Sequence, residues 1–426
     1  MARLIIGAVT NTTALIWVRA DSRYPYAFVS VGNLSKTVQT EERHGYTTSI
    51  QFTALNPNTT YAVTVAFAST SNAPSHRWVN FGSTSGSFVT APDSGQNGNQ
   101  VSFLLGSCNL HSLGSISSPD KAFEQLADRK IEYDSKFMIH CGDQIYYDIP
   151  NPSKSPDVVE YRKKYIDAWG DSRPTRSFLT QLPHYMIMDD HEITNDFDNS
   201  LTPGADRFRD LSMAVYREFV HIRQPNSYGR QALYYSFSWG NFEFFVLDCR
   251  TERYAANGQM IGPRQIQTLK RWLLDNQNSV KFVVTSIPFV GEVRRSEEKW
   301  SSPSFVKQKE ELIDYIASND IQKLIFLTGD MHNSYHASMN LENGNTLHEL
   351  MSSPINQLQK SDTDAYELSS QHKTKTGLCY SSKILRSEFF SDNSNAMSIL
   401  AEDNLVNWKI FRTKKQKVVK SGSFTV

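Results

Sequence analysis

Three turns rich in acids and histidine, each placed directly after an apolar strand-like run, constrain this chain more than any other feature. Gly142-Asp143-Gln144-Ile145-Tyr146 follows Phe137-Met138-Ile139, while Asp189-Asp190-His191-Glu192 and Gly329-Asp330-Met331-His332 each close another hydrophobic segment. Carboxylates and imidazoles gathered at the ends of buried strands are how a layered α/β protein assembles a metal centre.

Around these turns the chain has two rhythms. The region 1–92 reads as all-β: Ala14-Leu15-Ile16-Trp17-Val18-Arg19, Tyr26-Ala27-Phe28-Val29-Ser30-Val31 and Tyr61-Ala62-Val63-Thr64-Val65 are short, β-branched or aromatic, and separated by turn formers such as Gly32-Asn33. No helical stretch intervenes, so a small sandwich is expected. The stretch Leu55-Asn56-Pro57-Asn58-Thr59-Thr60-Tyr61 resembles the tyrosine corner of fibronectin type III-like domains. Residues 93–100, rich in turn formers, read as a linker. From 101 to 426 strands and helices alternate. Strands are expected at 101–105, 137–140, 242–247, 281–285 and 324–327, and helices at 121–129, 161–169, 213–222, 265–274 and 307–316. The segment 155–210, with its charges and prolines, is expected to wall a site. The last stretch, 341–426, reads as short strands and loops without chemistry of its own.

Composition excludes some functions. Lys+Arg and Asp+Glu are both 44, a formal net charge of +0, whereas a specific nucleic-acid binder needs a basic excess. A local cluster around one phosphate remains compatible with that balance. Four cysteines, at 108, 141, 249 and 379, match no disulfide or zinc spacing. No apolar run is long enough to span a bilayer. The opening Met1-Ala2-Arg3-Leu4-Ile5-Ile6-Gly7 is too brief for a signal peptide. On sequence alone the expected location is cytoplasmic, or extracellular or periplasmic if a leader has been removed.

Oxygen and imidazole ligands suit divalent or trivalent metals that polarise a phosphoryl oxygen and acidify water. Asp143 is placed to bridge two cations. Tyr146 can ligate as a phenolate only to a strongly acidic metal, because a phenol otherwise loses its proton near pH ~10; ferric iron is the obvious candidate. Cys108, in Gly106-Ser107-Cys108-Asn109, offers a thiolate to the same ion, and Asp330 and His332 complete a ligand set.

Gly-Ser-Cys, Gly-Asp-x-x-Tyr, Asp-Asp-His-Glu and Gly-Asp-x-His, in this order after a β region, resemble the PhoD-type alkaline phosphatases of the calcineurin-like metallophosphoesterase superfamily. Leu247-Asp248-Cys249-Arg250 and Ile261-Gly262-Pro263-Arg264-Gln265, leading to Trp272-Leu273, extend the likeness, which is weakest over 341–426. The resemblance implies a four-layer β-sandwich flanked by helices, preceded by a small all-β sandwich. It also implies hydrolysis of phosphate mono- or diesters through a metal-activated oxygen nucleophile, with inorganic phosphate as the other small-molecule partner. It assigns ferric iron to Cys108, Asp143, Tyr146 and His332, and calcium to Asp143, Asp190 and Asp330 with Asp189 beside them. Other divalent metals are compatible. In the superfamily the position of Asp190 is commonly asparagine and that of Asp330 commonly histidine, so two carboxylates here make the second site harder and favour calcium. His191 is assigned leaving-group protonation or transition-state stabilisation. Where relatives often carry an amide, this chain has Thr285-Ser286-Ile287-Pro288-Phe289, so no ligand is assigned from that loop.

Plainer readings stand beside these. Asp189 to Glu192 also fits a helix N-terminus, where acids favour the macrodipole. Arg250 either holds a substrate oxygen or pairs with Asp248; Asn195-Asp196 either contacts a cation or substrate or forms an Asx turn. His140 is expected in the core, and His111 and His336 near site loops. Two other functions compete: a hydrolase with Cys108 as nucleophile and His111 or His332 as base, and a metal-stabilised binding or adhesion protein without catalysis.

Overall fold

Among the described residues the chain opens with seven strands: β1 (Leu4–Val9), β2 (Ala14–Arg19), β3 (Tyr26–Val31), β4 (Leu34–Gln39), β5 (Thr47–Phe52), β6 (Thr60–Ala68) and β7 (Ser85–Val89). They pair into two antiparallel sheets, ordered β1-β2-β5 and β4-β3-β6-β7. Ile16, Val18, Val29, Val31, Val63 and Val65 alternate inward and form one core between the sheets. The Tyr61 hydroxyl accepts the Asn56 N–H at 2.8 Å, the back-bond expected of a tyrosine corner. This computed structural model describes residues 3–81, 84–95, 98–111, 119–152, 154–357, 361–392 and 394–426. Gln96 and Asn97 of the expected linker lie outside the described residues.

The following region carries β8 (Gln100–Gly106), β9 (Phe137–Cys141), β10 (His184–Ile187), β11 (Tyr235–Trp239), β12 (Phe242–Val246), β13 (Val280–Val284), β14 (Glu292–Val293) and β15 (Leu324–Thr328). After them come β16 (Ser334–Leu341), β17 (Thr346–Ser352), β18 (Tyr366–Glu367), β19 (Ser369–Lys373), β20 (Cys379–Ile384), β21 (Asn395–Glu402), β22 (Leu405–Arg412) and β23 (Val418–Thr425). Two large sheets result, β10-β9-β8-β21-β22-β23 and β11-β12-β13-β15-β17-β16-β20-β19. Their inner faces meet through an aromatic layer: Phe244 stacks on Phe282 at 4.8 Å, and Phe137 meets Phe244 edge-on at 5.5 Å.

Helices α1 (Pro119–Glu132), α2 (Val158–Gly170), α3 (Arg173–Phe178), α4 (Ala205–Phe219), α5 (Pro263–Asp275) and α6 (Val306–Ser318) cover the outside. Phe123, Leu126 and Phe178 pack on Leu104 and Met138 of one sheet, while Leu269, Trp272, Leu312 and Ile316 pack with Phe245 and Phe326 of the other. Helix, sheet, sheet and helix make the four layers that the sequence predicted.

Two expectations need correction. The helix expected at 213–222 begins at Ala205, because its first turns, with Asp206, Arg207, Arg209 and Asp210, hide the apolar period. The stretch 341–426 is no mere collection of edge pieces: β17 runs parallel beside β15, and β21 pairs with β8, each in the interior of its sheet. Strand β21 is buried on both faces and rich in small residues, so it lacks the period-two signal.

The sandwich is sewn to the helices beside it. Trp17 Nε1 donates to the Glu218 carbonyl at 2.9 Å, and the Tyr185 hydroxyl donates to Val9 O at 2.9 Å. A Cβ at Gly7 would overlap Arg223, and one at Gly86 would overlap the Thr180 backbone, so only glycine permits both approaches.

Candidate metal centre

The turns that leave β8, β9, β10 and β15 converge on one edge of the stacked sheets. Ser107 Oγ accepts the Asp330 N–H at 3.2 Å, and Cys108 N–H donates to Gly142 O at 3.2 Å, joining turns from both sheets. Cys108, Asp143, Asp330 and His332 all have left-handed backbones, with φ of 58°, 55°, 73° and 52°. Such conformations cost non-glycine residues about 1 kcal/mol or more each and persist where the surroundings over-determine them. The glycine before Asp143 is required by contact as well as conformation: φ is 97° and a Cβ there would overlap Asp189.

Glu192 fixes two of these turns at once. Its carboxylate accepts N–H bonds from Asp189 at 2.7 Å, Asp143 at 3.0 Å and Ile145 at 3.3 Å, and from Gln144 as well. Burial pushes its pKa up to about 8, and these N–H groups work against the rise.

Asp143 is the hub of the first half of the site. Its Oδ2 accepts from Cys108 Sγ at 3.3 Å and from the Tyr146 hydroxyl at 3.2 Å. Burial, followed by the charges of Asp143 and Asp330, raises the Cys108 pKa well above its ordinary value; burial, Cys108 and Asp143 do the same to Tyr146. Both groups hold their protons until a strongly charged cation outweighs those effects. The His191 ring lies over Tyr146 with centroids 4.1 Å apart, and its Nδ1 is 2.7 Å from Asp148 Oδ1. Burial opposes charge on His191, but Asp190, Asp143 and Asp148 outweigh it and lift its pKa well above the usual imidazole range.

The second half is built of carboxylates already facing internal cations. Asp189 Oδ1 accepts from Ser286 Oγ at 2.8 Å and from Arg250 Nε. Arg250 also reaches Asp190 at 3.6 Å and Glu298 at 2.9 Å. Lys299 Nζ sits 2.5 Å from Asp330 Oδ2 and pairs with Glu298. Burial raises the Asp330 pKa to about 7; Lys299 opposes it, and Glu298, Asp189 and Asp190 add to it.

Among the described residues, three groups hold potential ligand atoms within 4.8 Å of one another: Asp143-Asp190-His191, Asp189-Asp190-Asp330 and Asp190-Asp196-Glu298. Among the described residues Asp189 Oδ2 is buried with no hydrogen-bond partner, while Asp190 Oδ1 and Asp330 Oδ2 meet only the ion pairs to Arg250 and Lys299. Buried carboxylate oxygens gathered in this way fit cation ligation. Asp143, Asp190, His191, Asp196 and Asp330 line a cleft of about 490 Å³ together with Asn195, Leu201, Arg253, Met331, His332 and the loop 293–299.

Residues 103–395 match the model of the PhoD-like phosphatases. The chain belongs to that family. It is 24% identical over 307 residues to alkaline phosphatase D of Bacillus subtilis (strain 168), covering 60% of this chain and 50% of that one; the chain thus spans about half the length of this curated relative. A solved structure of PhoD superposes with a TM-score of 0.75 at 18% identity, covering 99% of this chain and 90% of that one. Purple acid phosphatase PPD1 from yellow lupin (Lupinus luteus) seeds follows with a TM-score of 0.66 at 13% identity, covering 99% and 74%. The four-layer fold with its small β-sandwich is the fold of this PhoD-like chain, shared with both solved structures. Among the described residues no helix is long and apolar enough to cross a membrane.

In this PhoD-like chain Cys108, Asp143, Tyr146, Asp189, Asp190, His191 and Asp330 come together in the contacts just given. His332 lines the same cleft, but its ring joins none of the three tight groups; burial, then the charges of His191 and Lys299, hold its pKa down to about 4, leaving a neutral imidazole. Asn195 lines the cleft too, with its amide donating to Asp196 at 2.6 Å. Arg250 departs from the substrate-binding expectation: it is fully buried and its guanidinium is spent on Asp189, Asp190 and Glu298, while Asp248 bonds only its backbone N–H. His336 turns away from the cleft toward His348 and Glu388, and His111 bonds Asp171. Sequence reasoning missed Asp148, Glu298 and Lys299. Asp148, two residues beyond Tyr146, was within reach of the motif; the loop 293–299 carried no signal.

Proposed function

We propose that this chain hydrolyses phosphate esters, mono- or diesters, at a centre of ferric iron and calcium. The observation that carries the reading is the single carboxylate of Asp143, which belongs both to the Cys108–Tyr146 cluster and to the group with Asp190 and His191. On this reading Cys108, Asp143, Tyr146 and His332 would hold iron, and Asp143, Asp190 and Asp330, with Asp189, would hold calcium. Bound there, such cations supply the Lewis acidity that neutralises phosphoryl oxygens and makes water acidic enough to attack phosphorus at neutral pH.

The chain's own residues supply the rest. Asp148 occupies His191 Nδ1, so Nε2 is the nitrogen that faces a substrate. The Asp148 carboxylate at Nδ1 favours the protonated ring, whose Nε2 would give its proton to the departing alkoxide as the ester P–O bond breaks and water adds to phosphorus. Stacking against Tyr146 and the Asp148 bond hold the ring in place, so little orientation is lost during reaction. Cys108 is a poor nucleophile here, fully buried with a raised pKa, which speaks against the cysteine hydrolase.

The test is metal analysis and ester turnover on the purified chain, wild type against Asp143→Asn, with and without a calcium chelator. Bound iron and calcium, with turnover lost in both the variant and the chelated sample, is the expected result. An iron- and calcium-resupplied protein that releases no phosphate and cleaves no diester would sink the reading.

A further inference from the structure

We infer that Arg295 is a substrate-side clamp at the mouth of the cleft, and that the preferred ester carries a second phosphate group besides the one that reacts. The inference deepens the proposed esterase function and rests on it.

Four basic residues line the cleft: Arg253, Arg294, Arg295 and Lys299. Three are neutralised by the chain itself. Arg253 is 3.2 Å from Asp198 and 3.5 Å from Glu298. Arg294 grips Glu367 with two bonds of 2.7 and 2.9 Å, and Lys299 lies between Glu298 and Asp330. Among the described residues Arg295 alone of the four has neither a carboxylate within 4.0 Å nor a hydrogen bond.

Its backbone is nevertheless held firmly. On one side β14 pairs with β18, and Arg294 N–H donates to Ala365 O at 2.8 Å. On the other, Glu298 and Lys299 are tied into the buried ion network. Between these anchors Arg295 adopts φ 51°, a conformation that side-chain-bearing residues seldom take and that surroundings must impose. An arginine fixed in place, exposed and left without a counter-ion on the rim of an acid-floored cleft is suited to an anion brought from outside.

The reacting phosphoryl group does not need it, since the floor already offers His191 and the cation ligands. A cleft of about 490 Å³ has room for more than one phosphate. A planar guanidinium binds phosphate through paired, charge-assisted bonds. Leu201, 63% exposed on the same rim, offers a short apolar contact for the carbon skeleton between two such groups.

The experiment compares wild type, Arg295→Ala and Arg295→Lys on propyl phosphate, 1,3-propanediol bisphosphate and 3-phosphooxypropanoate, each loaded with iron and calcium. Expected is a wild-type preference for the bisphosphate over the monophosphate that falls about tenfold in R295A, mainly through KM, is partly kept in R295K, and shrinks with added salt, as a rim charge contact should. Turnover with the same preference ratio in wild type and R295A overturns the inference alone. A wild type that favours the carboxylate ester as strongly as the bisphosphate overturns the assignment of phosphate. A wild type that turns over none of the three overturns the esterase reading, and this inference with it.

Discussion

The two halves of the cleft solve the same electrostatic problem in opposite ways. Around Cys108 and Tyr146, among the described residues, no lysine or arginine touches the ligand atoms, and the thiol and phenol simply keep their protons. Around Asp189, Asp190, Asp330 and Glu298 the chain supplies Arg250, Arg253 and Lys299. The thiol and phenol of the first half stay neutral until an ion strong enough to deprotonate them arrives; the second half carries its own compensating cations from the start. The difference teaches that ligand identity alone does not describe a metal site: the cations built around the ligands also decide how demanding it is.

The sharpest way to break the comparison is at the residue both halves share. Asp143→Asn is expected to lower kcat/KM by about a thousandfold or more, since groups acting on transition-state charge carry losses of that order. Metal analysis should show both ions depleted; loss of one ion alone would mean that Asp143 does not bridge. Next in size is Arg250→Met, which strands buried carboxylates and should cost about 3–5 kcal/mol of stability in chelated protein. Calcium should recover more stability in this variant than in wild type, as read by urea unfolding. If chelated R250M matches chelated wild type, the internal cations compensate nothing.

On the other half, Tyr146→Phe should lower turnover by roughly ten- to a hundredfold, a range typical of losing one supporting group at a metal site. It should also abolish any visible phenolate-to-iron absorption while calcium content holds. A calcium loss equal to the iron loss would show that the halves are not separable.

A further effect sits outside both and sets a baseline for acid experiments. His140 and His184 are bonded to each other at 3.1 Å beneath the cleft; burial brings His140 down to about 3 and, with the charge of His140 beside it, holds His184 well below its usual value. Both are neutral when folded and take up protons on unfolding, so their contribution is complete above pH ~6.5 and is lost as pH falls below it. Each accounts for about 1.4 kcal/mol per pH unit. Between pH 7 and pH 5 chelated wild type should lose more stability than a His140→Gln/His184→Gln variant by this slope, as read by urea midpoints, whatever the buried carboxyls contribute to both.

Much of this was legible beforehand for local reasons. The Gly-Asp turns announce themselves because glycine is needed where backbones meet, so Asp143 and Asp330 could be named from their turns, while the role of Asp190 came from the family resemblance. The short β-branched and aromatic runs of β2 and β3, set off by turn formers, exposed the sandwich in the same way. What stayed hidden depends on distant partners. Glu298 and Lys299 lie in a polar loop that looks like any solvated one until Arg250 and Asp330 are seen beside it. Strand β17 hides behind His348 and Glu349, polar residues buried because Glu349 accepts the Phe289 and Val290 N–H groups. Arg250 misled for the converse reason: an arginine after a strand has the same sequence appearance whether it meets a substrate or the protein's own acids.

The seam at Gly7 and Gly86 has a consequence for how this architecture can be inherited. Sandwich domains tied on by a tether can be exchanged between proteins like beads, because their neighbours do not feel the substitution. Here two backbones rest against the helical layer with no side chain between them, and Trp17 is wedged beside Trp169 and Phe219 at 6.4 and 5.8 Å. A replacement would have to bring glycine to both places and an indole to the third. The same helices, α2 and α4, steady the turn that bears His191, through Tyr161 to Ile193 O and Ser212 to Glu192 O, each at 2.7 Å. Sandwich and cleft are therefore braced through the same helices, and a chimera that ignores the seam would be felt first at the histidine.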